Sequence, residues 1–323
     1  MNALELRGVT KTYAGKTALE PLDLAVASGR VCGLLGPNGA GKTTAIRMIT
    51  GILLPDAGSV ALFGEPFRPG HRRRIGYLPE EHGLYPKMPM REHLEFLAAL
   101  QGVPAARRKA GVSDWIDRLK LGPWRDRKIE ELSKGTQQKV QFIATVLHDP
   151  ELLILDEPFS GLDPSNTKLL KDIVLEFVRR GRAVLLSTHR MEQVERMCDD
   201  ICLIDKGRKV AGGPLGEVKR RYGRNTVQIS FEGDASFLER LPAVERVDWY
   251  PNYVEARLRD PEGAQSVFDA LAGRLRVRRF ELGDPSINDI FIDLTGGEAP
   301  AQGAADESGA AEPAGLGAQG GSL

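Results

Sequence analysis

The eight residues Gly36 to Thr43, GPNGAGKT, constrain this chain more than any other stretch. They set two glycines, a lysine and a threonine in the register of a phosphate-cradling loop. An apolar run, VCGLL, precedes the loop, and a helical pattern begins near Lys42. Such a loop works only between a strand and a helix. Its glycines let successive N–H groups turn inward, and the helix N-terminus adds about half a positive charge there. Gly36, Pro37, Asn38, Gly39, Ala40, Gly41, Lys42, Thr43 and Thr44 are therefore the candidates for holding nucleotide phosphates. Lys42 should reach the β- and γ-phosphates, and the Thr43 hydroxyl should ligate Mg²⁺.

The run LLILDEP supplies a second half to this site. Residues 152–155 are continuously apolar, as a strand covered on both faces must be. The strand ends in Asp156, placing a carboxylate where a metal beside the phosphates would sit. Glu157 follows and can polarise a water for attack on the γ-phosphate, a general-base role worth about 10²–10⁴ in rate.

Short β-type runs alternate with helical patterns over the first 215 residues or so, which predicts a layered α/β domain with a largely parallel sheet. The expected strands are 3–9, 17–26, 31–35, 59–63, 152–155, 183–187 and 201–205. A helical insert is expected over about 80–149, with Val140, Ile143, Ala144 and Leu147 on one helix face. Leu169, Leu170, Ile173, Val174, Phe177 and Val178 mark another helix, capped by Asp163, opened by Pro164 and closed by Gly181. A small α+β unit is expected over 217–295, with strands at 226–231, 244–250, 253–258 and 276–282 and a helix near 261–272. From 296 to 323 Gly, Ala, Glu and Gln dominate and aromatics vanish, so this segment reads as a disordered tail.

Lysine plus arginine and aspartate plus glutamate both number 44, so no global field draws the chain to nucleic acid, and no nucleic-acid partner is expected. Arg72, Arg73 and Arg74 are the most basic cluster, read as a solvated surface loop or, alternatively, a lipid or partner contact. Cys32, Cys198 and Cys202 follow no zinc or disulfide spacing and read as buried small hydrophobes. The opening MNALELRG has no leader-like pattern, and no apolar run approaches the ~20 residues that span a bilayer. Action at a membrane would need spans from another chain.

Together these motifs resemble the ABC ATPase family over about residues 3–215. The resemblance implies that Tyr13, in KTYAG, stacks on adenine. LSKGT, from Leu132 to Thr136, occupies the place of that family's signature, with Lys134 for its first glycine and Thr136 for its glutamine. By resemblance, Ser133 and Gly135 contact the γ-phosphate of ATP held by a second protomer. SGLD, Ser160 to Asp163, matches the loop at the dimer interface, and His189 matches the histidine that senses the γ-phosphate. Glu80, in IGYLPEE, stands where the family has a glutamine that binds Mg²⁺ and couples to the membrane partner. GYLPEEHGLY, LSKGTQQK and the C-terminal unit resemble the ABC-2 exporter branch.

The expected fold is then α/β, a P-loop NTPase core of the ABC ATPase kind with an antiparallel β subdomain and helical insert, plus a small C-terminal α+β domain. The expected activity is ATP hydrolysis with ATP and Mg²⁺, catalysed by Glu157, His189 and Lys42 with Thr43, Asp156 and Glu80 at the metal. The implied partners are a second ATPase subunit, identical or different, and separate polytopic permease subunits, with the chain peripheral on the cytoplasmic face of the membrane. A soluble ABC ATPase acting on ribosomes or DNA is the alternative, disfavoured by the single P-loop and neutral charge. A metabolite kinase would have no use for the signature or the interface loop. The C-terminal unit could regulate, strengthen a dimer or simply pack.

Overall fold

The computed structural model describes residues 1–81, 83–223 and 226–296. The tail expected from 296 onward lies, apart from Gly296, outside the described residues. Three sheets organise the chain. The first is antiparallel, in the order β2-β1-β4-β5, with β1 (Asn2–Tyr13), β2 (Lys16–Ala27), β4 (Ala57–Leu62) and β5 (Glu65–Pro66). The second has the order β10-β9-β3-β8-β7-β6, with β3 (Val31–Leu35), β6 (Ile75–Leu78), β7 (Leu152–Asp156), β8 (Ala183–Thr188), β9 (Asp200–Asp205) and β10 (Arg208–Pro214). Its strands run parallel except β10, which is antiparallel to β9 at the edge.

All five residues of β3 and of β7 are buried. Successive side chains point to opposite faces of a strand, so each strand feeds two cores. Leu152 and Ile154 join Leu34 and Cys32 in a core shared with the antiparallel sheet and α1 (Lys42–Ile49). Leu153 and Leu155 join the opposite core, built with α2 (Met90–Leu100), α3 (Ala105–Arg118), α4 (Lys134–Val146) and α5 (Pro164–Arg179). The three insert helices α2–α4 thus lie on one face of the sheet. α5 begins as its sequence dictates: Asp163 accepts from the Asn166 N–H at 2.9 Å, Pro164 is the first helical residue, and Gly181 follows the end with φ 83°.

Beyond β10 come α7 (Leu215–Arg221) and a third, antiparallel sheet, β12-β13-β11-β14. Its strands are β11 (Thr226–Glu232), β12 (Val244–Tyr250), β13 (Tyr253–Leu258) and β14 (Arg276–Gly283). Val227, Ile229, Val254, Ala256 and Leu258 pack with Val267 and Leu271 of α8 (Ala264–Leu271) in a core of their own. The last helix, α9 (Ile287–Thr295), behaves differently. Ile287, Ile290 and Phe291 are buried in the first unit's core beside Met191 and Val194 of α6 (Met191–Glu195), and so is Val218 of α7.

The arginine run is more than a solvated loop. Arg72 donates to the carbonyls of Gly51 at 2.6 Å and Thr50 at 3.2 Å, closing the end of α1. Arg74 pairs with Glu151 at 2.6 Å and lies 3.7 Å over the Phe63 ring. All three cysteines are buried and free, and burial lifts the thiols of Cys198 to about 12 and Cys202 to about 11, leaving them inert.

Candidate functional site

The phosphate loop joins β3 to α1. A Cβ at Gly36 would lie 2.1 Å from the Ile204 carbonyl, so only glycine lets the loop leave the sheet beside β9. Gly41, with φ 106°, comes within 2.8 Å of the Ala18 carbonyl by the same measure. The Gly207 N–H donates to the Ala40 carbonyl at 2.9 Å, pinning the loop from the β9–β10 turn. Lys42 is buried, and its ammonium donates to the Gly36 carbonyl at 2.6 Å and the Pro37 carbonyl at 3.0 Å. Burial lowers its pKa, opposed by the carboxylates of Glu157, Asp156 and Glu80.

One cavity of about 710 Å³ is lined by Tyr13, Asn38 to Thr44, Glu80, Asp156 and Glu157. Tyr13 stands at its rim, 46% exposed, before the two-residue turn Ala14–Gly15, whose positive φ angles of 45° and 82° reverse the chain into Lys16. Exposure of a large ring at that place leaves a face open for stacking. Asp156 ends β7, 2% exposed, and its carboxyl is raised first by burial and then by Glu80 and Glu157. Carboxylates crowded near a lysine and a threonine hydroxyl suit a divalent cation. Among the described residues no group of three or more His, Cys, Asp and Glu is arranged to hold a metal by itself. Mg²⁺ is bound through one or two carboxylates and completes its shell with water and substrate phosphates.

Glu157 is 8% exposed and adopts φ 48°, a left-handed conformation that turns its side chain back toward the end of β8. Its Oε1 accepts the His189 backbone N–H at 2.8 Å and lies 2.6 Å from His189 Nδ1, while Thr188 Oγ1 donates to its Oε2 at 3.0 Å. His189 does not line the nucleotide cavity; it reaches the site through Glu157.

Ser133 and Gly135 do not line it either. Ser133 caps α4, its Oγ accepting the Thr136 N–H at 3.3 Å. A Cβ at Gly135 would meet the Gly161 carbonyl at 3.5 Å, so the signature segment sits against the SGLD loop of its own chain. The helix it opens carries two ties that sequence reasoning missed. Gln138 Nε2 donates to the Pro158 carbonyl at 3.0 Å, and Gln141 Nε2 to the carbonyls of Pro79 at 3.1 Å and Glu81 at 3.3 Å. Also missed were Lys16, Thr17, Ala18, Lys206 and Gly207, which line the cavity from the start of β2 and from the β9–β10 turn. Lys16 stands three residues after Tyr13, the one local signal for it; Lys206 had none.

A phosphate loop between a buried strand and a helix, facing a carboxylate pair at the end of the next-but-one strand, defines a P-loop nucleotide-binding ATPase domain. The comparisons place it more closely. The ABC transporter family model matches residues 19–160, and a model described as ATP-binding protein DrrA1-3-like, C-terminal domain, matches residues 213–295. The uncharacterized ABC transporter ATP-binding protein YhaQ of Bacillus subtilis is 43% identical over 293 residues, 91% of this chain and 98% of the relative. The daunorubicin/doxorubicin resistance ATP-binding protein DrrA of Streptomyces peucetius is 36% identical over 91% of this chain and 92% of its own. A solved ATP-binding subunit of an ABC transporter superposes with a TM-score of 0.65 and 32% identity, covering 68% of this chain and 93% of that one. The chain belongs to the ATP-binding subunits of ABC transporters, and is an ATPase.

Proposed function

We propose that this chain hydrolyses ATP with Mg²⁺ as one half of a head-to-tail dimer and drives export through separate membrane subunits. The observation that carries the dimer is that Ser133 and Gly135 do not line their own chain's cavity, which leaves them to serve a nucleotide held by a second copy. Among the described residues no helix is long and apolar enough to cross a membrane, which supports spans supplied by other chains. The export direction follows relatives such as DrrA and the Nod factor export ATP-binding protein I of Burkholderia thailandensis, 36% identical over 91% of this chain. The location is then peripheral, on the cytoplasmic face.

Tyr13 stacks on adenine, and the loop N–H groups with Lys42 hold the phosphates. Lys42 exchanges its two carbonyl acceptors for phosphate oxygens, a charge-assisted and stronger partnership. Thr43, Asp156 and Glu80 would hold Mg²⁺, which when bound neutralises charge on the β- and γ-oxygens. Glu157 takes a proton from a water as that water's oxygen bonds the γ-phosphorus, the bond to the β–γ bridging oxygen breaks, and ADP and inorganic phosphate leave. Thr188 and His189 hold the Glu157 carboxylate in place for that transfer. The unit at 217–295 is an accessory domain that packs on this core.

Tagged Glu157→Gln protein, purified from detergent-solubilised membranes with ATP and Mg²⁺, tests the assignment. A stoichiometric polytopic membrane protein is the expected companion. Ribosomes, nucleic-acid machinery or a bare soluble dimer in repeated preparations would replace transport with a soluble role.

A further inference from the structure

Three segments far apart in sequence meet on one carboxylate. Glu195, the last residue of α6, accepts the backbone N–H of Ile287 at 2.7 Å and lies 3.2 Å from the Lys219 ammonium. Ile287 opens α9, where helix N–H groups have no partner within the helix. Ser286 caps the Asp289 N–H at 3.1 Å, and Asp289 answers the Ser286 N–H at 3.2 Å, so the Ile287 N–H is left to Glu195. A carboxylate there also meets the positive end of α9. Both members of the ion pair are mostly shielded, with the Lys219 side chain 18% exposed and that of Glu195 28%.

Each party to this knot is rigidly tied elsewhere. α6 is joined to β8 by two residues, His189 and Arg190, and Met191 and Val194 fix it in the core. α9 is held to the third sheet by Arg257, whose Nη1 donates to Asp293 at 2.7 Å. Around the knot the contact is open: a polar cavity of about 410 Å³ separates His189, Arg190 and Gln193 from Gln228, Tyr253 and Glu255. The sheet therefore meets the segment behind His189 across a cleft, and the continuous connection runs through α9, by its apolar packing on Met191 and Val194 and by the hydrogen bond to Glu195.

We infer that Glu195 is a positioning residue that links the C-terminal unit to His189, so that the seating of α9 sets how His189 holds Glu157. The link rests on the hydrolytic roles proposed for Glu157 and His189. It gives the C-terminal unit a specific path to the turnover step, separate from nucleotide binding, because neither Glu195 nor α9 lines the nucleotide cavity.

Steady-state ATP hydrolysis by the full chain tests it. Glu195→Ala should lower kcat at least about fivefold, the low end of coupling between sites, with KM for ATP unchanged within about twofold. Glu195→Gln keeps an oxygen for the Ile287 N–H and should restore most of kcat. Wild-type kcat in the alanine variant, a KM that rises in step, or a glutamine variant as poor as alanine would each overturn the inference. Hydrogen exchange in the unaltered chain gives a readout independent of any variant's folding. Protection across 287–295 should change when ATP and Mg²⁺ are added, and an unchanged pattern contradicts the link. Hydrolysis persisting in Glu157→Gln would instead remove the reading on which the link rests. An inactive Glu157→Gln beside a wild-type Glu195→Ala removes only the link.

Discussion

Glu157 Oε1 receives two donors from His189, the backbone N–H at 2.8 Å and the imidazole Nδ1 at 2.6 Å. Against an ionised carboxylate, which can only accept, Nδ1 is the donor of that pair. The left-handed backbone at Glu157 aims the carboxylate at this pair, and the last residue of β8 supplies the Thr188 hydroxyl just before His189. His189→Ala removes the imidazole while keeping the backbone donor. Hydrolysis should fall roughly 10²-fold, as for a catalytic group left loosely placed, with ATP affinity retained. Single-turnover kinetics beside equilibrium ATP binding separate the two.

Lys42 gives the opposite profile. Its ammonium sits on the loop that holds the phosphates, so Lys42→Ala should weaken ATP itself. Loss of charge-assisted hydrogen bonds worth about 1.5–3 kcal/mol corresponds to roughly 10- to 150-fold in Kd. Fluorescent-nucleotide titration measures it.

Gln141 fastens the segment carrying Glu80 to α4 through two carbonyls. Gln141→Ala leaves Pro79 and Glu81 without this donor, and stability should fall by about 0.5–1.5 kcal/mol. Urea unfolding reads the loss. An unchanged midpoint would mean that water replaces the amide at no cost.

Glu255 faces the cleft beside the third sheet, and its carboxyl is raised to about 7, first by burial and then by Asp289, Glu195 and Asp248. The folded chain therefore holds this proton more tightly than the unfolded chain does. Between the ordinary value of 4.5 and about 7, stability falls as pH rises, because ionising the buried group costs free energy. Glu255→Gln removes that cost, so the variant should gain thermal stability over wild type at pH 8 and lose the advantage at pH 4. Melting curves across that range check the sign.

What could be read from sequence was what is local. GPNGAGKT, Asp156–Glu157 and the Asp163–Pro164 helix start each carry their physics within a few residues. β6 was missed because IGYL is four residues long and contains a glycine, and β10 because RKVAGGP has no alternation and is a strand only by pairing with β9. α9 had a legible start, Ser286 and Asp289 as a reciprocal cap. Its destination was not legible: Ile287, Ile290 and Phe291 leave the sheet they follow and enter the core built by α6, a choice set by three-dimensional complementarity. Lys206 and Gly207 reach the cavity by a turn more than 160 positions from the phosphate loop, beyond any spacing rule.

The most direct test of the account is ATP turnover against ATP binding in Glu157→Gln. The substitution keeps shape and a hydrogen-bond acceptor for His189 but removes the base. Turnover should drop about 10²–10⁴-fold while Kd for ATP stays within about threefold of wild type. Turnover at the wild-type rate, or loss of binding in proportion to activity, would contradict the role given to Glu157 and with it the arrangement built around His189.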